Sequence, residues 1–311
     1  MAVIVLLGDI NIDLVLDIPG YPAEGGEAIA TGQTVAIGGS ATNTAIALAR
    51  AGHECRLLGR VGQDAWGEQA LSELQNAGIA TRWIGRDAAE PTQLNVVTVS
   101  VNGERTMFAY RGANAQLSAD AIDEAAFAGA ALLHLSGYVL LEPRQAAAAL
   151  HAIDIAVRKA IPVTLDIPSG VVDALADKVR SLLPKLDTIL LADSDLACLL
   201  DRTESADRDS LIAALLRQGV KRVAIKGRGP VSLLYRMDAR DSAPWFSVAV
   251  VDTVGAGDAF AAGHIHGRIL GLGGAECCRL ANAYGAVAIT RKGAGLAMPT
   301  WGDVSDLMAD A

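Results

Sequence analysis

Residues 252–263 read DTVGAGDAFAAG, a glycine-rich turn followed by the start of an apolar helix. Gly255, Ala256 and Gly257 have little or no side chain, so a ligand can approach their backbone closely. The first N–H groups of a helix lack partners within it, and the helix dipole is positive there, which favours an anion. In that positive turn, Asp258 is a candidate proton acceptor beside the anion. The same residues also fit a tight turn in which Asp258 only caps the helix.

The 311-residue chain is acidic and poor in aromatic side chains. Its formal net charge is −9, and 51% of its residues are apolar but only 4% aromatic. A chain of this length buries a large core, and its negative charge argues against a nucleic-acid partner. No apolar run is long enough to cross a bilayer, and the four cysteines have no metal-ligand spacing. We therefore expect a cytoplasmic protein that handles small molecules and binds neither nucleic acid nor membrane.

Strand-like and helix-like segments alternate along most of the chain. Short apolar runs predict buried strands at 3–7, 55–61, 131–135, 163–166, 188–191 and 222–226. Amphipathic patterns predict helices at 42–51, 66–77, 144–159 and 208–218. This alternation indicates an α/β fold with a doubly wound, mainly parallel sheet flanked by helices. We see no domain boundary and expect one domain over residues 1–311.

Two regions break this alternation. Residues 93–101 and 104–110 alternate in polarity around Asn102-Gly103, a strong hairpin signal. A looser strand pair is predicted at 14–18 and 28–36. An antiparallel patch of this kind beside a parallel sheet could be a lid over the active site, a dimer surface, or both.

Polar loops follow two of the predicted strands, where ligands of open α/β sheets bind. After the first strand, alternation places Asn11 and Asp13 on one side, and such acceptors can chelate the vicinal hydroxyls of a sugar. A polar turn is the alternative. Further on, Gly38 and Gly39 precede a predicted helix whose first turn contains Asn43. These groups could bind the hydroxyls of a polyol, or they could simply start the helix.

The familiar nucleotide-binding motifs are absent: the sequence has neither a Gly-Lys-Ser/Thr loop nor a Gly-x-Gly-x-x-Gly turn after a strand. Two other segments carry a resemblance. Residues 38–45, with Gly52 and Gly62 beyond them, and residues 252–263 match the two signatures of the ribokinase-like carbohydrate kinases of the phosphofructokinase-B type. The resemblance covers nearly the whole chain. His264 departs from it, because an apolar residue is usual at that position.

The resemblance implies a ribokinase-like fold with a small β-sheet lid, inserted at about residues 14–36 and 92–111. It also implies ATP as donor and a primary hydroxyl of a small sugar as acceptor. Asp258 would be the catalytic base, and the backbone of Gly255, Ala256 and Gly257 would form the anion hole. The positions that match sugar-binding residues of relatives are Asn11, Asp13, Gly39 and Asn43.

On the nucleotide side, the resemblance points to the loop Lys226-Gly227-Arg228-Gly229, which follows a predicted strand. Asn282 matches a residue near the adenine, although a polar residue on a half-buried helix explains it equally well. Arg111 follows the predicted hairpin, in the region that closes over the acceptor in relatives. An arginine there could bind an anionic group of the acceptor, or it could be a solvated residue.

The metal positions depart from the family pattern. Relatives carry Asn-x-x-Glu after the strand equivalent to 188–191, where this chain has Ala192-Asp193-Ser194-Asp195. We expect Asp195 to order water around Mg²⁺, which tolerates mostly aqueous ligation. Asp252 matches a position used in a monovalent-cation site, which implies K⁺ as a further cation.

The leading hypothesis is an ATP-dependent kinase acting on a ribose-like or fructose-like furanose. A nucleoside kinase similar to adenosine kinase is an alternative, although the shortage of aromatic residues favours a free sugar. A second alternative is a catalytically weak, sugar-binding regulatory protein, motivated by the altered metal motif. A homodimer through the lid is a further expectation from the resemblance.

Overall fold

The computed structural model describes residues 1–201, 207–227 and 231–310. Within these ranges the strands are β1 Val3–Leu7, β2 Asn11–Ile18, β3 Gly32–Gly38, β4 Glu54–Gly62, β5 Ile84–Asp87, β6 Gln93–Ser100, β7 Arg105–Tyr110, β8 Ala130–Ser136, β9 Val163–Asp166, β10 Thr188–Ala192, β11 Arg222–Lys226, β12 Val231–Arg236 and β13 Ala239–Pro244. The α-helices are α1 Ser40–Arg50, α2 Ala65–Asn76, α3 Gly112–Ala115, α4 Pro143–Arg158, α5 Val172–Leu182, α6 Leu196–Leu199, α7 Arg208–Arg217, α8 Ala256–Ile269, α9 Gly274–Ile289 and α10 Trp301–Ala309.

The central sheet has nine strands in the order β13-β12-β11-β10-β9-β8-β1-β4-β5. The seven strands from β11 to β5 are parallel, and β12 and β13 continue the sheet in antiparallel pairing. Strand order therefore runs outward from β1 in both directions, as a doubly wound sheet requires. The predicted mainly parallel, doubly wound sheet is confirmed.

Helices cover both faces of this sheet because the buried strands present apolar side chains on each side. One apolar core joins the sheet to α4, α5 and α7, with Ile153, Leu175 and Leu215 fully buried. The other core lies on the opposite face, against α1, α8 and α9, and contains Ile46 and Tyr284. The α8 and α9 helices thus sit directly over the sheet, and α8 begins at the glycine turn.

The small sheet, which we call the lid, has the strand order β3-β2-β6-β7. The β6 and β7 strands form the predicted hairpin, and Gly103 in its turn has a φ of 78°, in the left-handed region that favours glycine. The predicted pairing of the other two segments is also antiparallel, between β2 and β3. The β2 strand begins at Asn11, so the polar loop after β1 leads straight into the lid.

Three of the described strands were not predicted from the sequence: β5, β12 and β13. The β13 sequence ARDSAP has no apolar run, and it is a strand because it pairs along its whole length with β12. Among the described residues, no helix combines the length and the apolarity needed to cross a membrane.

Candidate active site

The turn before α8 exposes its backbone to two cavities. Gly255 precedes the helix with a φ of 74°, in the left-handed region, and a Cβ there would lie 3.0 Å from the Cβ of Ala294. Gly255 and Gly257 line a cavity of about 740 Å³, which we call the larger cavity. Ala256 and Gly257 line a neighbouring cavity of about 230 Å³, the smaller cavity. The first N–H groups of α8 have no partners within the helix, although that of Ala256 donates to the Thr253 carbonyl at 3.3 Å. Such a helix start favours an anion between the two cavities.

Asp258 lies in the first turn of α8 and faces the larger cavity. Its Oδ1 accepts a hydrogen bond from Ser40 Oγ and its Oδ2 accepts one from Asn43 Nδ2, both at 2.7 Å. Burial of the carboxylate raises its pKa to about 7, although the bonds from Ser40 and Asn43 oppose that rise. A carboxyl group with a pKa near neutrality is well suited to take up a proton at neutral pH.

A row of polar side chains from the lid forms one wall of the larger cavity. Asp13 Oδ1 accepts hydrogen bonds from Asn11 Nδ2 at 2.7 Å and from Asn95 Nδ2 at 2.8 Å. Gln93 Nε2 in turn donates to Asn95 Oδ1 at 3.0 Å. Both bonds to Asp13 end on Oδ1, so within the described part of the chain Oδ2 is left for another donor. The row therefore fixes the Asp13 carboxylate at the wall of the larger cavity.

Arg111 forms an ion pair with the carboxylate of Asp9. Its Nη2 lies 3.0 Å from the Asp9 carboxylate and donates to Gln145 Oε1 at 2.7 Å. Gln145 Nε2 also donates to Asp9, at 2.7 Å. Arg111 lines the larger cavity, but its charge is largely compensated by Asp9. This placement differs from both expectations for Arg111, which is neither solvated nor a free cation for an anionic acceptor.

Gly38 and Asn43 lie beside the two carboxylates of the site. Neither lines the larger cavity, whereas Gly39 does. Asn43 Nδ2 donates to Asp258, and its Oδ1 accepts from the Gly295 amide at 2.9 Å. Gly38 lies behind Asp13, and a Cβ there would come within 2.3 Å of Asp13 Oδ2. In this structure Asn43 therefore holds the Asp258 carboxylate and Gly38 packs against that of Asp13, while their role toward a sugar stays a prediction.

The smaller cavity has mostly apolar and aromatic walls. Trp245, Phe246 and Phe260 line it together with Gly227 and Asn282. The Asn282 amide donates to the Ala243 and Pro244 carbonyls at 3.0 and 2.9 Å, which ties α9 to the end of β13. Asn282 thus lines the smaller cavity with its Nδ2 already engaged, and its place near an adenine stays a prediction. Gly229, the other predicted nucleotide-binding residue of this loop, lies outside the described residues.

Lys226 joins the two cavities. It lines both of them, as Gly257 does, and a Cβ at Gly257 would lie 3.7 Å from Lys226 Nζ. The ammonium group forms an ion pair with Asp166, which is 3% exposed, and donates to the Ile167 carbonyl at 3.3 Å. Lys226 therefore places a cation at the junction, beside Gly257 and so close to the turn that precedes Asp258.

Asp195 and Asp252, the residues expected to bind cations, already accept hydrogen bonds from the protein. Asp195 is buried, accepts a hydrogen bond from Ser169 Oγ at 3.0 Å, and is absent from the cavity walls. Asp252 accepts from the amides of Val254 and Gly293 at 3.0 and 2.9 Å. Among the described residues, no three histidine, cysteine or acidic side chains converge on a point that could hold a metal ion. Within the described ranges these two carboxylates therefore belong to no ready-made cluster of metal ligands. A Mg²⁺ ion held mostly by water and phosphate needs no such cluster.

Several residues of the site were missed in the sequence. Ser40, Asn95 and Asp166 all line the larger cavity. The sequence does indicate Asp166 as a site residue, because it is the last residue of a predicted strand, where the ligand-binding groups of such sheets lie. The indication is weaker for Asn95, a polar residue within the predicted hairpin. Ser40 was visible only as part of the helix start.

Comparison with known proteins defines the class. A family model for pfkB family carbohydrate kinases matches residues 1–301. The chain therefore belongs to the pfkB family of carbohydrate kinases, and the prediction of an ATP-dependent carbohydrate kinase is confirmed.

Particular relatives are similar along their whole length. The chain is 29% identical to fructokinase-1 of Oryza sativa subsp. japonica, over 99% of this chain and 98% of that protein. It resembles the structure of Arabidopsis thaliana ribokinase complexed with ribose and ATP, with 25% identity, a TM-score of 0.84 and 99% of each chain covered. An E. coli protein described as a ribokinase II, in complex with ATP and Mg²⁺, has the same fold, with 23% identity, a TM-score of 0.89 and 100% of each chain covered. The predicted ribokinase-like fold is confirmed.

Proposed function

We propose that this kinase transfers the γ-phosphate of ATP to a primary hydroxyl of a small furanose-type sugar. The acceptor oxygen forms a bond to the γ-phosphorus while the bond from that phosphorus to the β–γ bridging oxygen breaks. The electron pair of the broken bond leaves with ADP. The proton of the acceptor hydroxyl passes to Asp258.

The observation that carries this proposal is the meeting of two unlike cavities at one point. The smaller cavity has aromatic faces at Trp245 and Phe246, which suit a purine ring. The larger cavity is lined by polar groups suited to sugar hydroxyls, including Asp13 and Asn95. Gly257 and Lys226 belong to both. A nucleotide in one cavity would present its terminal phosphate to an alcohol in the other, and Asp258 lies at that contact.

The helix start supplies electrostatic stabilisation at the same point. The amides of residues 255–257 are the candidate anion hole, because the first N–H groups of α8 lack partners within the helix. The Ala256 amide would exchange its 3.3 Å hydrogen bond to the Thr253 carbonyl for one to the anion. Transfer of a phosphoryl group needs mainly in-line positioning and charge stabilisation, with a base for the proton. Asp258 and the glycine turn provide both from a single helical turn.

The walls of the larger cavity favour a free sugar over a nucleoside. Tyr138 is the single aromatic residue among its described lining residues. A nucleoside would need an apolar or aromatic surface for its base, whereas Asn11, Asp13, Asn95 and Gln93 offer hydrogen bonds to hydroxyl groups. The similarity to a fructokinase and to a ribokinase supports the same choice.

A turnover assay tests this function. ADP release and sugar phosphate would be measured with fructose, ribose, a keto-deoxy sugar acid and adenosine, for the parent and for Asp258→Asn. We expect turnover with at least one free sugar and a loss of about 10²- to 10⁴-fold in kcat in Asp258→Asn. Saturable sugar binding without turnover would favour the regulatory, sugar-binding alternative, and preference for adenosine would favour a nucleoside kinase.

We further infer a homodimer through the outer face of the lid. Phe108 and Tyr110 on the edge strand β7 are 62% and 61% exposed. Together with Trp66, Leu94 and Val96 they border an apolar groove of about 500 Å³. Light scattering tests this: Phe108→Ser should shift a dimeric parent toward monomer, and a parent that is monomeric at micromolar concentration would contradict it.

A further inference from the structure

Asp166, Ala192 and Lys226 are the last residues of three adjacent parallel strands, β9, β10 and β11. Ala192 pairs with Lys226 and Leu190 pairs with Asp166. Paired residues of neighbouring strands project to the same face of the sheet. Lys226 therefore reaches across the end of β10 to the Asp166 carboxylate.

The small side chain of Ala192 leaves room beside this ion pair. Ala192 is the last residue of β10, between the strands of the two charged residues, and it lines the larger cavity. A longer side chain at this position would project to the same face as Lys226 and compete with it for that space.

Lys226 still has hydrogen-bonding capacity toward the reaction point. An ammonium group has three N–H donors, and two of them bind Asp166 and the Ile167 carbonyl. Gly257, in the turn before Asp258, lies close to Nζ on the junction side. A phosphoryl group above Gly257 would therefore be within reach of the third donor.

We propose that Lys226 is the cation that stabilises the phosphoryl group during its transfer, and that Asp166 positions it. The inference rests on the proposed function. Asp195 and Asp252 line neither cavity, whereas Lys226 lines both, so Lys226 brings a charge of the protein itself to the junction. Lys226 is thus a catalytic residue and Asp166 a positioning residue.

The test separates binding of the transferred group from binding of the rest of the nucleotide. Calorimetry would give the dissociation constants of ATP and ADP for the parent, Lys226→Met, Lys226→Arg and Asp166→Asn, with kcat measured in parallel. Lys221→Met, which removes an exposed lysine just before β11, is the matched control. Because Lys226→Met leaves Asp166 buried without its partner, the double variant Lys226→Met/Asp166→Asn would be included.

We expect Lys226→Met, alone or in the double variant, to lower kcat by about 100-fold and to weaken ATP binding about tenfold more than ADP binding. Lys226→Arg should recover part of kcat, and Asp166→Asn should lower kcat about tenfold with little change in the sugar KM. Equal weakening of ATP and ADP by Lys226→Met, or an unchanged kcat, would overturn the inference.

Ala192→Asn provides an opposing test. If Lys226 supplies the positive charge that stabilises the phosphoryl group, the asparagine side chain at position 192 should separate Lys226 from Asp166 and lower kcat. A higher kcat with a lower Mg²⁺ requirement would instead show that a metal supplies the positive charge.

Loss of turnover in Asp258→Asn alongside a fully active Lys226→Met would leave the proposed function intact and refute only this inference. If the parent phosphorylates no acceptor, the proposed function fails, and a selective loss of ATP over ADP binding in Lys226→Met would then show only that Lys226 binds the terminal phosphate.

Discussion

Asn43 holds Asp258 across 215 residues of sequence, by a 2.7 Å hydrogen bond from its Nδ2 to the carboxylate. The other end of the same amide accepts a hydrogen bond from the Gly295 amide, so Asn43 cannot turn away without losing two bonds. The second oxygen of Asp258 is held by Ser40. The helix after Gly38-Gly39 therefore fixes the Asp258 carboxylate directly after the second glycine turn.

The protonation of Asp258 predicts how activity depends on pH. Burial raises the pKa of this carboxyl to about 7, so a growing fraction is protonated as the pH falls below neutrality. A protonated Asp258 cannot accept the proton of the acceptor hydroxyl. We expect kcat/KM for the sugar to fall about tenfold per pH unit below about pH 7. A profile that stays flat down to pH 5 would show that Asp258 does not act as the base in its free form.

Removing the hydrogen bond from Asn43 to Asp258 should shift the acid limb of the profile, which is the fall of kcat/KM below about pH 7. Hydrogen bonds donated to a carboxylate favour its charged form, so loss of one raises the pKa. In Asn43→Ala the limb of the kcat/KM profile should shift to higher pH, by about one unit. Asn76→Ala, at an exposed position at the end of α2, is the control. A shift to lower pH, or a lower kcat with an unmoved limb, would contradict the role given to Asn43.

Asp258 should also lower the stability of the fold above acidic pH. Its pKa is raised from 3.8 to about 7 on folding, so the folded state binds the proton more tightly than the unfolded chain. Stability contributed by this group therefore falls as the pH rises from about 4 to 7, and the full penalty remains above that range. Asp258→Asn removes the charge, and its amide can accept from Asn43 while donating to Ser40. We expect its Tm at pH 8 to exceed that of the parent by about 5 °C, and by much less at pH 4. Equal differences at both pH values would show that the carboxylate is not destabilised by burial.

Asn95 should control sugar binding through Asp13. Its Nδ2 orients the Asp13 carboxylate, and its own orientation is fixed by Gln93. Asn95→Ala should raise the sugar KM about tenfold and change kcat less than threefold, because the lost bond orients a binding group rather than the base. Thr98→Ala, on the same strand but bonded to Tyr21, is the matched control. A fall in kcat with an unchanged KM would place Asn95 elsewhere in the mechanism.

The sequence was a good guide to elements whose hydrophobic pattern is local. The predicted strands at 163–166 and 222–226 match β9 and β11 residue for residue, because each is a short buried run with polar residues beyond it. The β13 strand could not be found in this way, since its alternately exposed residues owe their conformation to pairing with β12. A strand that forms because it pairs with a neighbouring strand has little pattern of its own in a single sequence.

The same contrast between local patterns and distant partners applies to the site residues. Alternation along the first loop placed Asn11 and Asp13 together, and both line the larger cavity. The role of Asn43 was missed because its partner lies on a helix far along the chain. The pairing of Asp166 with Lys226 depends on the order of three strands, and no spacing within the sequence encodes that.

A crystal structure with the preferred sugar and a non-hydrolysable ATP analogue would test the central claim most directly. The account predicts the purine in the smaller cavity, the sugar in the larger one, and the terminal phosphate over Gly257. It also predicts the acceptor hydroxyl oxygen within about 3 Å of an Asp258 carboxylate oxygen. A nucleotide bound elsewhere, or a hydroxyl oxygen more than about 5 Å from Asp258 with both ligands in place, would contradict it.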